Sequence, residues 1–418
     1  MCDQCNLRTL EVERLQHFME NGRKQTALPL PCRRKFQVCF HGQVDSFWAM
    51  AEVVRECLEL TGAGEPLKVS KRPLPPPAPR GIILKTSRAG ICHSDVHFWE
   101  DLWRLRDIPD LRLSGITMGH EIVGAVYSKG AQVEDLNIGD RVVVYPWTGC
   151  MECDACRAGY NNLCPNNRHG TSDFGQGGVS GCANQGGYST YVWVPDARYT
   201  VLVPSTLDLS VAATLPCAAL TSFNALGKIK AKMEELSKIY DSPWLVVVGC
   251  GGLGMWCLNL ARYCLPKTTN ILAVDISPAN LSVVKDCETL LLPDQDEEIV
   301  QQLRTKTHGG ACTIIDFVGS SQTVGAALNS LRKGGQYHVI GLYGGSLITQ
   351  PEKLISNTTA ITGSRTGSLH SLRDLVKLVD DNKINGPPVE HVTLTEVNRV
   401  LVDLREGRVR GRAVVKFD

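Results

Sequence analysis

Between Arg80 and Val203 apolar positions come in short runs broken by glycine and proline, in GIILKTSRAG, EIVGAVYSKG, GDRVVVYPW and YSTYVWVP. Such runs predict an irregular, all-β region. From about Leu209 the texture changes. Helical patterns (VAATLPCAALTSFNALGKI, LGMWCLNLARYC, ANLSVVKD, SSQTVGAALNSLRKG) alternate with strand patterns (WLVVVG, ILAVD, TIIDFVG, QYHVIGLYG). Strands separated by helices of 10 to 15 residues imply βαβ units and a parallel sheet. After Pro351 follow a strand AITGSR, a helix SLRDLVKLVDD, an amphipathic LTEVNRVLVDLREG and a last strand GRAVVKF.

A chain of 418 residues exceeds one comfortable core and reads as two domains. With 44 basic and 43 acidic residues it has no field to attract nucleic acid or an anionic membrane, so small neutral partners are expected. No apolar run reaches the roughly 18 residues of a membrane span, and the N-terminus lacks the marks of a signal or transit peptide. The cytoplasm is the expected location. The 17 cysteines show no paired framework of the secreted kind, which suits a reducing compartment.

Four of those cysteines change the picture. Cys150, Cys153, Cys156 and Cys164 lie in GCMECDACRAGYNNLCPN, the spacing of a structural zinc lobe: four thiolates close the tetrahedron and leave no position for chemistry. A second signal is VVVGCGGLG, which sets Gly249, Gly251 and Gly254 in G-x-G-x-x-G, with Gly252 and Leu253 inside it, directly after a strand and opening a helix. In that context the glycines permit the tight turn, the approach of a pyrophosphate and close helix packing, and the helix N-terminus offers N–H groups to the anion. Asp275, at the end of ILAVD, is placed to accept from a ribose 2′-hydroxyl.

The order of GICHSD, GHE, the four-cysteine lobe, PCAALTS and the glycine triplet resembles that of the medium-chain zinc alcohol dehydrogenases, from about Phe36 to the C-terminus. The resemblance implies a GroES-like β-barrel catalytic domain plus a doubly wound Rossmann domain, and reversible hydride transfer between a small alcohol and NAD. It implies Cys92, His120 and Cys217 as ligands of a catalytic zinc, with Glu121 close to the metal and Asp95 orienting the histidine. Ser94 then takes the alcohol proton and passes it through the cofactor ribose to His97, while Arg412 contacts the pyrophosphate. The expected complement is two zinc ions per chain, with NAD preferred over NADP because Asp275 would repel a 2′-phosphate. Aldehydes or ketones are the partner products, and a homodimer or homotetramer is expected. Trp99, Trp103 and Trp147 read equally as core aromatics or as pocket walls, since they flank zinc-site and lobe segments that border the substrate pocket in relatives. A polyol or sugar dehydrogenase is the rival, disfavoured because such relatives commonly carry glutamate where Cys217 stands; a nicotinamide-binding pseudoenzyme would need a broken zinc site.

These readings divide the chain into an N-terminal extension (1–31), a catalytic domain (32–208), a nucleotide domain (209–358) and a tail returning to the catalytic domain (359–418). Relatives run from an FHG strand almost directly into GEPL. Here FHG at Phe40 to Gly42 is separated from GEPL at Gly64 to Leu67, so residues 43–63 read as an insertion. Phe47, Met50, Val54, Cys57 and Leu58 recur within it at helical spacing and predict an amphipathic helix.

Overall fold

The computed structural model describes residues 53–100, 115–166, 186–293 and 295–417. The first half forms β1 (Val54–Leu60), β2 (Lys68–Pro73), β3 (Ile82–Ile91), α1 (His93–Trp99), β4 (Ile116–Thr117), β5 (Glu121–Lys129), β6 (Arg141–Val144), α2 (Asp154–Arg157), β7 (Tyr191–Val194) and β8 (Thr200–Leu202). Strand β1 pairs antiparallel with β2 and β4. A larger sheet joins β3, β5, β6 and β8, with β7 also on β3. In β5 the alternation of EIVGAVYSK sends Ile122 and Val126 into a core with Ile82, Leu84 and Val142. The four expected β runs are therefore β3, β5, β6 and β7.

The helix expected across residues 47–58 is not formed where the structure describes it. Val54–Leu60 is β1, with Cys57, Leu58 and Leu60 almost fully buried and Leu58 N–H donating to the Tyr188 carbonyl at 2.9 Å. Three apolar residues in a run this short fit a 3.6-residue period and an extended strand about equally well. The tie is broken by distant partners, β2 across the GEPL turn and the backbone near Tyr188. Residues 54–60 thus belong to the sheet; Phe47, Met50, the FHG run and the 1–31 extension lie outside the described residues.

The second half opens with α3 (Leu209–Thr214), a π-helical turn (Leu215–Ala219) and α4 (Leu220–Leu236). Together Leu209–Leu236 is the one helix among the described residues long and apolar enough to cross a membrane, against the expectation that no such stretch exists. Most of it is buried in the core, which explains its apolar character without a bilayer. Then come β9 (Trp244–Val248), α5 (Gly252–Cys264), β10 (Asn270–Asp275), α6 (Pro278–Leu281), β11 (Glu288–Leu291), α7 (Asp296–Lys306), β12 (Ala311–Asp316), α8 (Ser321–Ser330), β13 (Leu331–Val339), α9 (Pro351–Asn357) and β14 (Ala360–Gly363). Their strands form one parallel sheet in the order β11-β10-β9-β12-β13-β14. This is the doubly wound order, reversing direction beside β9, and its ligands sit beyond the carboxyl ends of the strands. Central β9, WLVVV, is buried at every position, as a strand covered on both faces must be.

The remaining elements are α10 (Leu369–Asp381), β15 (Val389–Val392), α11 (Val397–Arg405) and β16 (Arg412–Lys416). Strand β16 pairs antiparallel with β3, so the C-terminus completes the sheet begun more than three hundred residues earlier. Helix α11 buries Val397, Val400 and Leu401 in one cluster with Leu58 and Leu60 of β1.

Candidate active site and metal centres

Gly90 closes β3 where any Cβ would collide with the Glu121 side chain, so AGICHSD can pass close to β5 only with glycine there. Cys92 then caps α1, and its N–H donates to Asp95 Oδ2 at 2.9 Å. His120 stands immediately before β5, preceded by Gly119 at φ +91°, where a Cβ would strike the Tyr188 ring. Backbone sterics and a packed aromatic thus both require glycine in MGHE. Cys217 comes from the π-helical turn, a local widening in which Pro216 also removes a backbone donor.

These elements bring Cys92, His120, Glu121 and Cys217 together, all buried, with ligand atoms within 4.8 Å of one another. Cys92 Sγ and Cys217 Sγ are 3.9 Å apart. Zinc–sulfur bonds of about 2.3 Å in a tetrahedron give a sulfur–sulfur edge of about 3.8 Å, so the pair fits zinc without rearrangement. His120 Nδ1 faces Asp95 Oδ1 at 3.2 Å, which orients the ring and makes Nε2 the nitrogen that would face a metal. The Tyr188 hydroxyl donates to Asp95 Oδ2 at 2.8 Å. Tyr188 had no signal in its own sequence context, since GGYS reads as a turn; only the fold delivers it to Asp95.

The two thiols of the site are driven in opposite directions, Cys92 down and Cys217 up, through the contact they share. The hydrogen bond from Cys217 holds the Cys92 thiol well below its ordinary range against the opposing effect of burial, and His120 helps. Burial alone would push the His120 pKa down, but the adjacent Asp95 carboxylate raises it well above the usual value. Burial pushes the Glu121 carboxyl up to about 7, while Arg412 pulls it back.

Arg412, the first residue of β16, is 4% exposed and pairs with Glu121 Oε2. The same side chain lies against Gly252, at the start of α5, where it would meet any added Cβ. One guanidinium therefore spans from the metal cluster to the glycine loop. In that loop Gly249 has φ +88°, a Cβ on Gly254 would collide with the Gly249 carbonyl, and Gly251 opens onto free space. Helix α5 has no side-chain cap, so its first N–H groups remain available to an anion. Asp275 accepts from Cys250 N–H at 2.7 Å, Ser277 N–H at 2.8 Å and Asn280 Nδ2 at 3.2 Å, which fixes the carboxylate beside the loop. The residues present fit a dinucleotide.

The second cluster joins Cys150, Cys153, Cys156 and Cys164, again within 4.8 Å, with Cys153 Sγ and Cys164 Sγ at 3.8 Å. Backbone N–H groups of Cys150, Cys153 and Cys156 point at sulfurs of Cys164, Cys150 and Cys153. The N–H of Glu152, then Asn166 and Cys153, lower the Cys150 pKa to about 6, whereas burial pushes Cys156 up to about 12. Four convergent cysteine sulfurs with N–H donors around them are the chemistry of a closed structural zinc site.

The sequence profile of the alcohol dehydrogenase GroES-like domain matches residues 78–205, and that of the zinc-binding dehydrogenases matches residues 252–381. An NAD-dependent alcohol dehydrogenase of Sulfolobus acidocaldarius is 30% identical over 356 residues, covering 84% of this chain and 97% of the relative. The chain belongs to the medium-chain zinc alcohol dehydrogenase family. Another member, the NAD-dependent alcohol dehydrogenase of Sulfurisphaera tokodaii, is 29% identical over 363 residues, 86% of this chain and 99% of its own. Among solved structures, the alcohol dehydrogenase of Aeropyrum pernix superposes with a TM-score of 0.74 at 27% identity, covering 87% of this chain and all of its own. As a member of this family the protein is a zinc-dependent oxidoreductase that uses NAD.

Other expected residues fall as follows. Ser94 and His97 are half-buried on α1, three residues apart and so on one face of the helix. Trp147 is buried beside the metal cluster, its ring 5.7 Å from that of His120. Of the two readings open for Trp99, core aromatic or pocket wall, its surroundings support the first: it packs among Leu58, Leu60 and Leu401, with its indole N–H donating to the Glu65 carbonyl at 2.7 Å. Trp103 lies outside the described residues.

Proposed function

We propose that the protein oxidises small alcohols reversibly to aldehydes or ketones, with NAD preferred over NADP and two zinc ions per chain. The observation that carries this reading is the bridge made by Arg412, which touches Glu121 of the metal cluster and Gly252 of the glycine loop. It supports a metal-held substrate and a dinucleotide meeting in one cleft. Cys92, His120 and Cys217 would hold the catalytic zinc, and the lobe cysteines the structural one. Bound there, zinc supplies Lewis acidity that makes a hydroxyl easier to deprotonate, and NAD supplies the hydride acceptor.

The chain's own residues do the rest. Asp95, held by Tyr188 and the Cys92 N–H, fixes the His120 tautomer. Ser94 receives the substrate proton, and half-buried His97 passes it to solvent. Gly249, Gly251, Gly252, Leu253 and Gly254 receive the pyrophosphate with Arg412, and Asp275 binds the adenosine ribose. In this reading the catalytic unit comprises residues up to 208 together with 359–418, around a nucleotide domain at 209–358. The enzyme acts in the cytoplasm as a homodimer or homotetramer.

The test is steady-state turnover of primary, secondary and polyol substrates with each nicotinamide cofactor, on wild type and on Cys92→Ala and Cys217→Ala. Both variants should lose alcohol oxidation at least a thousandfold while NAD binding changes little, because metal and dinucleotide contact different elements. Alcohol oxidation surviving in either variant would remove the metal assignment.

A further inference from the structure

We propose that Asp316 is a positioning residue for the nicotinamide half of the dinucleotide, because it fixes two loops, 317–321 and 340–346, that flank that half beyond the ends of β12 and β13. This rests on the reading above that the glycine loop receives the pyrophosphate, and it gives a role to a residue outside the metal and phosphate contacts.

Sheet order sets the direction. The glycine loop leaves the carboxyl end of β9, and Asp275, proposed for the adenosine ribose, ends β10 on one side of it. On the other side of β9 stand β12 and then β13. A dinucleotide with its pyrophosphate on α5 and one ribose at Asp275 therefore sends its other half over the ends of β12 and β13.

Asp316 is the last residue of β12, in register with Val248 of β9, and is fully buried. Its Oδ1 accepts from the Val318 N–H at 2.8 Å and the Gly319 N–H at 3.0 Å, and its Oδ2 from the Tyr337 hydroxyl at 2.9 Å. Its backbone carbonyl takes the N–H groups of Ile340, at 2.9 Å, and Gly341, at 3.1 Å. One residue thus ties both loops to the sheet. Burial, reinforced by the Asp316 carboxylate, pushes the Tyr337 pKa well above its ordinary value, so the hydroxyl stays a donor.

The loops in turn are bonded to each other and press on the glycine turn. Tyr343 N–H donates to the Val318 carbonyl at 3.1 Å, and Gly345 N–H to the Gly319 carbonyl at 2.9 Å. A Cβ on Gly319, which has φ +72°, would strike the Gly341 carbonyl, and one on Gly341 would strike the Val318 backbone. A Cβ on Gly249 would come within 2.9 Å of Val318 Cγ2. Val318 therefore packs against the first glycine of the nucleotide loop, and its backbone is held there by adjacent N–H bonds to a buried carboxylate, a stronger acceptor than a neutral oxygen.

The experiment measures, by calorimetry on the zinc-loaded enzyme, the dissociation constants of NADH and of ADP-ribose, which carries the adenosine and pyrophosphate but no nicotinamide. Wild type is compared with Asp316→Ala, Asp316→Asn and Gly319→Ala. Asp316→Ala should weaken NADH roughly tenfold to a hundredfold and ADP-ribose by no more than about threefold, because only the loops beyond β12 and β13 lose their anchor. Asp316→Asn, whose amide oxygen still accepts from both loop N–H groups, should recover most of the NADH affinity. Gly319→Ala should reproduce the selective loss with Asp316 intact, since it forces the two loops apart. Equal weakening of both ligands, or a lower melting temperature with an unchanged NADH constant, would leave Asp316 purely structural and overturn the proposal. If Asp316→Ala does not fold, Gly319→Ala decides: a ratio of the two constants equal to that of wild type overturns the proposal. Wild type that binds NADH while no variant shows the split keeps the nucleotide reading and loses this one; wild type that binds neither ligand would sink the nucleotide reading instead.

Discussion

Tyr188 and Asp275 carry the sharpest consequences at the scale of single residues. Tyr188→Phe removes one of the two donors to Asp95 Oδ2 and nothing else of size, leaving the carboxylate that orients His120 less firmly held. Such partners of a metal ligand are commonly worth tenfold to a hundredfold in metal affinity or activity, so a loss of about tenfold in zinc affinity is expected, read by chelator competition. An unchanged dissociation constant would reduce Tyr188 to a packing residue. Asp275 is already gripped by Cys250, Ser277 and Asn280, so its charge cannot swing away from a 2′-phosphate. Wild type should favour NAD by roughly tenfold to a hundredfold in kcat/KM, and Asp275→Gly should narrow that gap. Equal use of both cofactors by wild type would refute the role. Asp275 was legible from its place after a glycine triplet; Tyr188 was not, because nothing local ties it to a carboxylate 93 positions earlier.

At the scale of elements, β1 and β13 make predictions of opposite character. A deletion of residues 43–62 would be harmless if they were an insertion. Because Val54–Leu60 pairs with β2 and β4 and buries Cys57, Leu58 and Leu60, the deletion should instead leave no soluble, active enzyme, as expression and size-exclusion chromatography would show. Recovery of near-normal activity would restore the insertion. On β13, His338 is fully buried between the hydroxyls of Thr362 and Ser364. Burial, helped by Lys228, depresses its pKa to about 4. A neutral imidazole with a depressed pKa contributes stability that is complete above its ordinary pKa of about 6.5 and lost as pH falls toward about 4, since the unfolded chain binds the proton first. Thermal melts between pH 4 and 7 should therefore slope less steeply for His338→Gln than for wild type. Parallel slopes would show that other groups govern that window.

For the whole molecule, the two metal clusters should separate by what their loss does. The lobe is closed by four sulfurs and reaches the Arg365 carbonyl through the side chain of Asn162, whereas the catalytic set lies between elements of both halves. Elemental analysis should give two zinc ions per chain. Cys153→Ala should lower the melting temperature by several degrees or more before it alters the chemistry, because a structural site contributes folding energy. One zinc in the wild type, or a Cys153→Ala protein as stable as its parent, would remove the lobe assignment.

Periodicity, spacing and glycine chemistry determined a great deal of this protein. The β half, the alternating half, the cysteine lobe and the nucleotide loop are local patterns, each set by residues within a few turns of one another, and each is found where the pattern lies. The dispersed metal set is different: Cys92, His120 and Cys217 are far apart in the chain, and a ligand geometry exists only when α1, β5 and the π-helical turn are packed. The same holds for β1, whose seven residues fit two periods until β2 and Tyr188 choose one, and for Arg412, whose charge has no meaning until the fold sets it against Glu121 and Gly252. Local sequence fixes backbone preference and side-chain chemistry; only tertiary packing decides which distant groups share a few ångströms, because that proximity depends on burial summed over the whole core.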